Sequence, residues 1–162
     1  MQFALVLNST VAGVAHAVQL LITNDTTNSM TDGTAVLQST VAATYTVASV
    51  KGIFASQFNS WTADLNQTRN GNVGLGNFNG AGKVTGSFTE MNGGVLLTVA
   101  ATGTYTVNAD GSGTMSLVSG TDSFQIAFVL NTVVSGHPKG LQLLLTTEGG
   151  SNRVDSGVAQ KQ

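Results

Sequence analysis

Apolar and polar residues alternate along most of the chain, which is the pattern of strands with one buried face. In residues 95–107, valine, leucine, alanine and tyrosine fall at most of the alternate positions, and threonine fills most of the positions between them. The same alternation recurs in residues 84–88, 124–130 and 141–145. Because no stretch follows the helical period of about 3.6 residues, the pattern predicts an all-β protein.

Turn motifs rich in glycine and asparagine separate these stretches at short intervals. They are Asn70-Gly71, Asn79-Gly80-Ala81-Gly82, Asn92-Gly93-Gly94, Asp110-Gly111-Ser112-Gly113 and Glu148-Gly149-Gly150. Such spacing is typical of an antiparallel meander. With about eight or nine strands in a complete unit, the sequence predicts an antiparallel β-barrel, with a β-sandwich as the alternative. Residues 49–69 fit the alternation poorly.

The two ends of the chain resemble each other. Residues 3–23 and 126–146 share 10 identities in 21 aligned positions, and one further residue of offset aligns residues 33–38 with 157–162. A period of about 124 residues indicates a partial duplication of a whole domain, since solenoid repeats are far shorter. We interpret residues 1–38 as the closing third of a preceding repeat unit, and residues 39–162 as one complete barrel unit.

Two copies of the closing strands compete for one place in the barrel. Either copy could complete it, or both could enter a single larger sheet. The spare copy would carry unpaired strand edges, which favour strand swapping or a dimer. The sequence therefore predicts a homo-oligomer formed through the spare closing strands.

Charge and composition exclude several classes of function. Charged residues make up 9% of the chain and the formal net charge is -2, so no basic surface is present to bind a nucleic acid. The absence of cysteine excludes disulfides, thiolate catalysis and cysteine-ligated zinc. No apolar run reaches the length of a membrane-spanning helix.

The first residues imitate an export signal, with an apolar run followed by Ala15-His16-Ala17. They lack the basic start of a signal peptide. The same segment also recurs near the other end of the chain, where it cannot be a signal. We therefore do not predict a signal peptide in this chain.

Five motifs together resemble an uncharacterised β-repeat domain of exported proteins from acidobacteria and related soil bacteria. They are VGLGNFNGAGKVTGSF (73–88), GTYTVNADGSGTMSL (103–117), FQIAFVLN (124–131), GLQLLLTTE (140–148) and SGVAQKQ (156–162). The resemblance covers nearly the whole chain and implies a parent protein that is exported or on the cell surface. The Thr-Tyr-Thr strands are also similar to those of allene oxide cyclase-like and dirigent-like barrels.

Four ionisable residues are candidates for acid–base catalysis. When the two copies of the repeat are aligned, His16 and His137 fall two positions apart, and Asp25 aligns with Glu148. If the two copies met, paired carboxylates there would have divergent pKa values suited to general acid and general base roles. Two histidines cannot form a three-imidazole zinc site. The sequence predicts neither a metal site nor a cofactor.

Aromatic residues offer a second kind of site. An aromatic-lined barrel mouth would bind an apolar or sugar ligand, although core packing also explains such residues. The candidate ligand-binding residues are Tyr45, Phe54, Phe58, Trp61 and Tyr105.

Two classes of function follow. The first is a non-catalytic, exported β-barrel module that binds a small apolar or carbohydrate ligand, or a surface. The alternative is an enzyme with acid–base groups in the barrel interior or in a dimer groove, either cyclase-like or a promiscuous ester or phosphoester hydrolase. A carboxyl or imidazole group facing an aromatic-lined interior would distinguish the two.

Overall fold

The computed structural model describes residues 2–11, 14–24, 32–36, 44–62, 69–92, 95–134, 137–148 and 153–162. The chain divides into two units, Met1–Thr40 and Val41–Gln162.

The second unit is a closed, eight-stranded antiparallel barrel. Its strands are β4 (Lys51–Thr62), β5 (Arg69–Asn79), β6 (Lys83–Asn92), β7 (Val95–Val107), β8 (Ser112–Ser119), β9 (Asp122–Val134), β10 (His137–Glu148) and β11 (Arg153–Lys161). Each strand pairs with the next along the chain, and β11 pairs with β4 to close the ring. A short 3-10 helix, η1 (Val47–Ser49), precedes β4. The prediction of an all-β antiparallel barrel is confirmed.

The strand that closes the barrel comes from the part of the sequence that fitted the alternation least well. β4 pairs continuously with β11, from Thr62 opposite Arg153 to Phe54 opposite Lys161. Its other edge pairs with β5 over a longer ladder, from Lys51 opposite Asn79 to Trp61 opposite Arg69. Backbone pairing with a neighbouring strand on each side, rather than local alternation, therefore makes this segment a strand.

One end of the barrel is filled by a cluster of buried side chains, which we call the closed-end cluster. Its members are Tyr45, Val50, Phe54, Phe78, Tyr105, Leu130 and Leu141. The rings of Phe54 and Phe78 meet edge to face at 5.3 Å, and those of Phe78 and Tyr105 do so at 5.1 Å. This is the favourable geometry for aromatic quadrupoles, so the cluster is well packed.

The Tyr105 hydroxyl ties the closed end together. It donates to the carbonyl oxygen of Val50 at 2.7 Å and lies 3.1 Å from that of Val47. It also accepts the N–H of Gly80 at 3.0 Å. One side chain from β7 thus holds both η1 and the turn between β5 and β6.

Side chains fix the turns at this end. Asn79 Oδ1 accepts the N–H groups of Ala81 and Lys83, at 2.7 and 3.0 Å. Asp110 Oδ1 accepts the N–H and the hydroxyl of Ser112, at 2.9 and 2.7 Å. Both turns were predicted from sequence and are confirmed. The turn predicted at Asn70-Gly71 is wrong, because both residues lie inside β5 and pair with β4.

The first unit contains a three-stranded antiparallel sheet in the order β1 (Gln2–Val11), β2 (Val14–Asn24) and β3 (Asp32–Val36). Its pairing follows the register of β9, β10 and β11. Equivalent pairs are Leu5↔Leu20 with Phe128↔Leu143, and Leu20↔Gly33 with Leu143↔Gly157. A register shift recurs as well. It falls between Gln2 and Phe3 where β1 pairs with β2, and between the equivalent Gln125 and Ile126 where β9 pairs with β10.

In the part of the chain with described coordinates, no helix is long and apolar enough to cross a membrane.

Replacing Tyr105 by phenylalanine should destabilise the barrel by about 1–3 kcal/mol, because the N–H of Gly80 and the carbonyl of Val50 would lose a buried partner. Tyr45 supplies a matched control, since its buried hydroxyl has no hydrogen-bond partner among the described residues. Tyr45→Phe should therefore be neutral or slightly stabilising. Urea denaturation of the two variants measures the difference, and equal losses would refute the role given to Tyr105.

Stability should fall in alkaline solution because of Tyr105. Burial raises the pKa of its hydroxyl above the ordinary 10.0, and the hydrogen bonds from Gly80 and Gly82 oppose that rise. The unfolded chain therefore loses this proton first, so the contribution to stability is complete below about pH 10 and is lost as the pH rises further. Melting temperatures measured between pH 8 and 11.5 should fall less steeply in Tyr105→Phe. A parallel decline in both proteins would contradict this assignment.

Candidate functional site

The barrel interior holds a cavity of about 100 Å³. It extends from the closed-end cluster towards the opposite end of the barrel. One water occupies about 30 Å³ of liquid, so the volume suits a few waters or a small organic molecule. Most of its wall is apolar, including Phe54, Phe58, Phe78, Met115, Ile126 and Leu143.

Two glycines help to leave this space open. Gly76 on β5 and Gly86 on β6 lie opposite each other and line the cavity. At Gly86 the neighbouring strand comes so close that an added Cβ would overlap the carbonyl oxygen of Leu75. Tight coiling of the sheet at this point thus requires a residue without a side chain, and the absent side chains enlarge the interior.

The end of the cavity opposite the closed-end cluster is polar. Asn72 on β5 lies opposite Glu90 on β6, and both line the cavity. Asp155 on β11 also lines it and is only 3% exposed. None of the described residues that line the cavity is basic. This end therefore offers amide and carboxyl oxygens that accept hydrogen bonds.

Apolar side chains on β6, β7 and β9 lie beside the polar end. Phe88 and Phe124 line the cavity there and meet edge to face, with ring centroids 6.0 Å apart. The adjoining ends of β6 and β7 carry exposed apolar side chains, of which Leu96 is the most exposed at 68%. An apolar molecule approaching this end would therefore meet an apolar surface before the cavity itself.

The structure separates the predicted aromatic residues into two groups. Phe54 and Phe58 line the cavity. Tyr45 and Tyr105 belong to the closed-end cluster and are not among its lining residues. Trp61 lies on β4, and its side chain is outside the described part of the structure.

The described part of the structure does not show the four predicted acid–base residues lying together. His137 begins β10 and is exposed. His16 lies on β2 and Glu148 ends β10, both with side chains outside the described set. Asp25 lies wholly outside it. Their catalytic role therefore stays a prediction. Among the described residues, no group of three or more His, Asp or Glu could hold a metal ion.

The sequence predictions did not include the amide and carboxyl residues that line the cavity, Asn72, Glu90 and Asp155. Alternation could have found Glu90, because it continues the series Val84, Gly86 and Phe88 by one more step. Asp155 lies two residues before Gly157 on β11, and residues two apart on a strand lie on the same face. Inward-facing carboxyl groups were not expected, since an apolar stripe normally ends where polar residues begin.

Comparison with known proteins adds little to this description. No protein-family model matches the chain, and no curated protein does. A similar solved structure is described as the de novo design of a fluorescence-activating beta barrel. It is 13% identical, with a TM-score of 0.48, and the match covers 72% of this chain and 96% of that chain. The barrel assignment rests on the strand pairing of this chain itself, and the exported β-repeat family remains a prediction.

The two cavity glycines should respond differently to substitution by alanine. Gly86→Ala should destabilise by about 2–3 kcal/mol, because its Cβ would collide with backbone that cannot move away. In Gly76→Ala the nearest neighbour is the ring of Phe78, at 3.2 Å, which can shift slightly. That variant should stay within about 1 kcal/mol of the parent protein. Thermal unfolding tests both, and equal effects would contradict the close approach at Gly86.

Proposed function

We propose that the barrel binds a small, mainly apolar ligand in its interior. A hydrogen-bond donor group of the ligand would point towards Asn72, Glu90 and Asp155. The observation that carries this proposal is the cavity itself, with a mainly apolar wall and its amide and carboxyl groups at one end. Binding pockets for small molecules commonly combine a hydrophobic lining with a few placed polar groups.

The lining favours an apolar ligand over a carbohydrate. Among the described lining residues, the polar and charged side chains are Ser56, Asn72, Ser87, Glu90 and Asp155. A sugar carries a hydroxyl on almost every carbon, and each buried hydroxyl without a partner costs about 1–3 kcal/mol. An aromatic or aliphatic ligand with one donor group meets no such cost.

Acid–base catalysis in the same cavity is a second candidate function. It is favoured by one specific observation, the presence of two carboxyl groups, Glu90 and Asp155, along one apolar cavity. General acid–base catalysis requires such groups within reach of the substrate. The amides in Glu90→Gln and Asp155→Asn would retain hydrogen bonding but could not exchange protons, so retained binding with lost turnover would favour the enzyme.

An exported or cell-surface parent protein is part of the same proposal. The low content of charged residues, 9%, supports it.

Small aromatic probes test the binding proposal. Toluene and indole should shift the methyl NMR signals of Met115 and Ile126, while glucose at the same concentration should not. Ala101 is buried and lines the cavity, whereas its neighbour Ala100 is exposed on the same strand. Ala101→Leu should therefore fill the space and weaken toluene binding by about tenfold or more. Ala100→Leu should leave it unchanged.

Three outcomes would contradict the proposal. Absence of methyl shifts with either aromatic probe would show that the interior does not admit a ligand. Equal weakening by Ala101→Leu and Ala100→Leu would place the probe outside the barrel. A response to glucose alone would favour the carbohydrate alternative.

A further inference from the structure

The first unit repeats the pairing pattern of the strands that complete the barrel. β1, β2 and β3 match β9, β10 and β11 in order and direction, and in register over most of their length. Register determines which side chains share one face of a sheet, because a shift by one residue reverses the faces. The two three-stranded segments therefore present equivalent positions to any surface they bind.

The residues at those positions are also alike. In the barrel, the buried face of β9 and β10 carries Ile126, Phe128, Leu130, Leu141, Leu143 and Leu145. The aligned residues are Phe3, Leu5, Leu7, Val18, Leu20 and Ile22. Where the aligned residues differ, one apolar residue replaces another. Packed cores tolerate such substitutions when the total volume is roughly conserved.

Glycine is also retained at the position of the closing segment that packs most tightly against β4. An added Cβ at Gly157 on β11 would overlap the carbonyl oxygen of Gln57 on β4 and lie 2.9 Å from the ring of Phe58. The residue of β3 that aligns with Gly157 is Gly33. β3 therefore carries no side chain at the position where β11 has no room for one.

The chain is long enough to place β3 beside β4 of the same molecule. Val36, the last residue of β3, aligns with Gln160, which lies opposite Ala55 near the closed end. Tyr45 is at that end as well, since its N–H bonds to the carbonyl of Ala109. The eight residues 37–44 can span up to about 26–29 Å. That exceeds the backbone diameter of about 12–16 Å expected for eight strands about 4.8 Å apart.

We propose that β1–β3 and β9–β11 are alternative closing segments for one half-barrel, β4–β8, and that they exchange within a single chain. In the exchanged form β1 pairs with β8 and β3 pairs with β4, while β9–β11 is released. The exchange replaces each broken strand ladder by a shorter one. β1 aligns with five of the eight β9 residues that pair with β8, and β3 aligns with five of the nine β11 residues that pair with β4. This inference is independent of the ligand proposed above.

Introduced cysteine pairs can report each form, because the chain has no cysteine of its own. Gln57 lies opposite Val158 on β4 and β11, and Thr34 is the residue of β3 that aligns with Val158. Gln57→Cys with Val158→Cys therefore marks the described barrel, and Gln57→Cys with Thr34→Cys marks the exchanged one. The control pair is Gln57→Cys with Gln19→Cys, since Gln19 would lie one strand too far from β4 for a disulfide.

Valine at each of the two equivalent glycines should shift the equilibrium in opposite directions. Gly157→Val crowds β11 out of the barrel and should speed formation of the 34–57 disulfide by about tenfold or more, as expected for forcing a side chain into a packed site. Gly33→Val should abolish that disulfide and leave the 57–158 disulfide unchanged. The 19–57 pair should form no disulfide in either background.

Folding of the variants is checked by amide hydrogen exchange of the full chain without cysteines. In Gly157→Val, protection should remain in β4–β8, increase in β1–β3 and decrease in β9–β11. The double variant Gly33→Val/Gly157→Val should lose protection throughout, because neither segment can close the barrel.

Three results would overturn the proposal. The first is a 34–57 disulfide that forms no faster than the 19–57 control in both the parent and the Gly157→Val backgrounds. The second is a Gly157→Val protein as unprotected as the double variant. The third is a 34–57 disulfide found only between two chains on a non-reducing gel, which would assign the exchange to a second copy.

Discussion

The pairing of β11 with β4 is the constraint on which the rest of the barrel depends. An open eight-stranded sheet would leave two edges of unsatisfied N–H and carbonyl groups, and closure removes both. The ladder from Thr62 opposite Arg153 to Phe54 opposite Lys161 achieves this closure. It also brings Gly157 close against β4, where no side chain fits. The enclosed interior, and hence the cavity, exists only because this last ladder forms.

The two ends of the interior have different roles. At one end, Tyr105 links η1 to the turn between β5 and β6, and aromatic packing fills the space. At the other end, Asn72 and the carboxyl groups of Glu90 and Asp155 form a polar recess. A packed closed end and a cavity with polar groups at its opposite end suit the proposed binding of a small ligand, because such a site is formed before the ligand arrives.

Alternation predicted most of the strands correctly, but it failed where tertiary context outweighed local pattern. β4 lacks a regular stripe, yet two neighbouring strands satisfy its backbone. Asn70-Gly71 has the composition of a hairpin turn, yet both residues are paired within β5. For the site, Phe54 and Phe58 were found from their aromatic character. Asn72, Glu90 and Asp155 were missed. Alternation places Glu90 and Asp155 on the inward face of their strands, but a polar residue near the end of a strand normally marks the end of the buried stripe.

The sequence by itself determined the all-β class, the antiparallel order and the equivalence of the two chain ends, because these depend on period, turn residues and repetition, which are local or self-comparing properties. Only the tertiary structure decided that β9–β11 rather than β1–β3 closes the described barrel, and that two carboxyl groups line the cavity. Both outcomes depend on contacts between strands far apart in sequence.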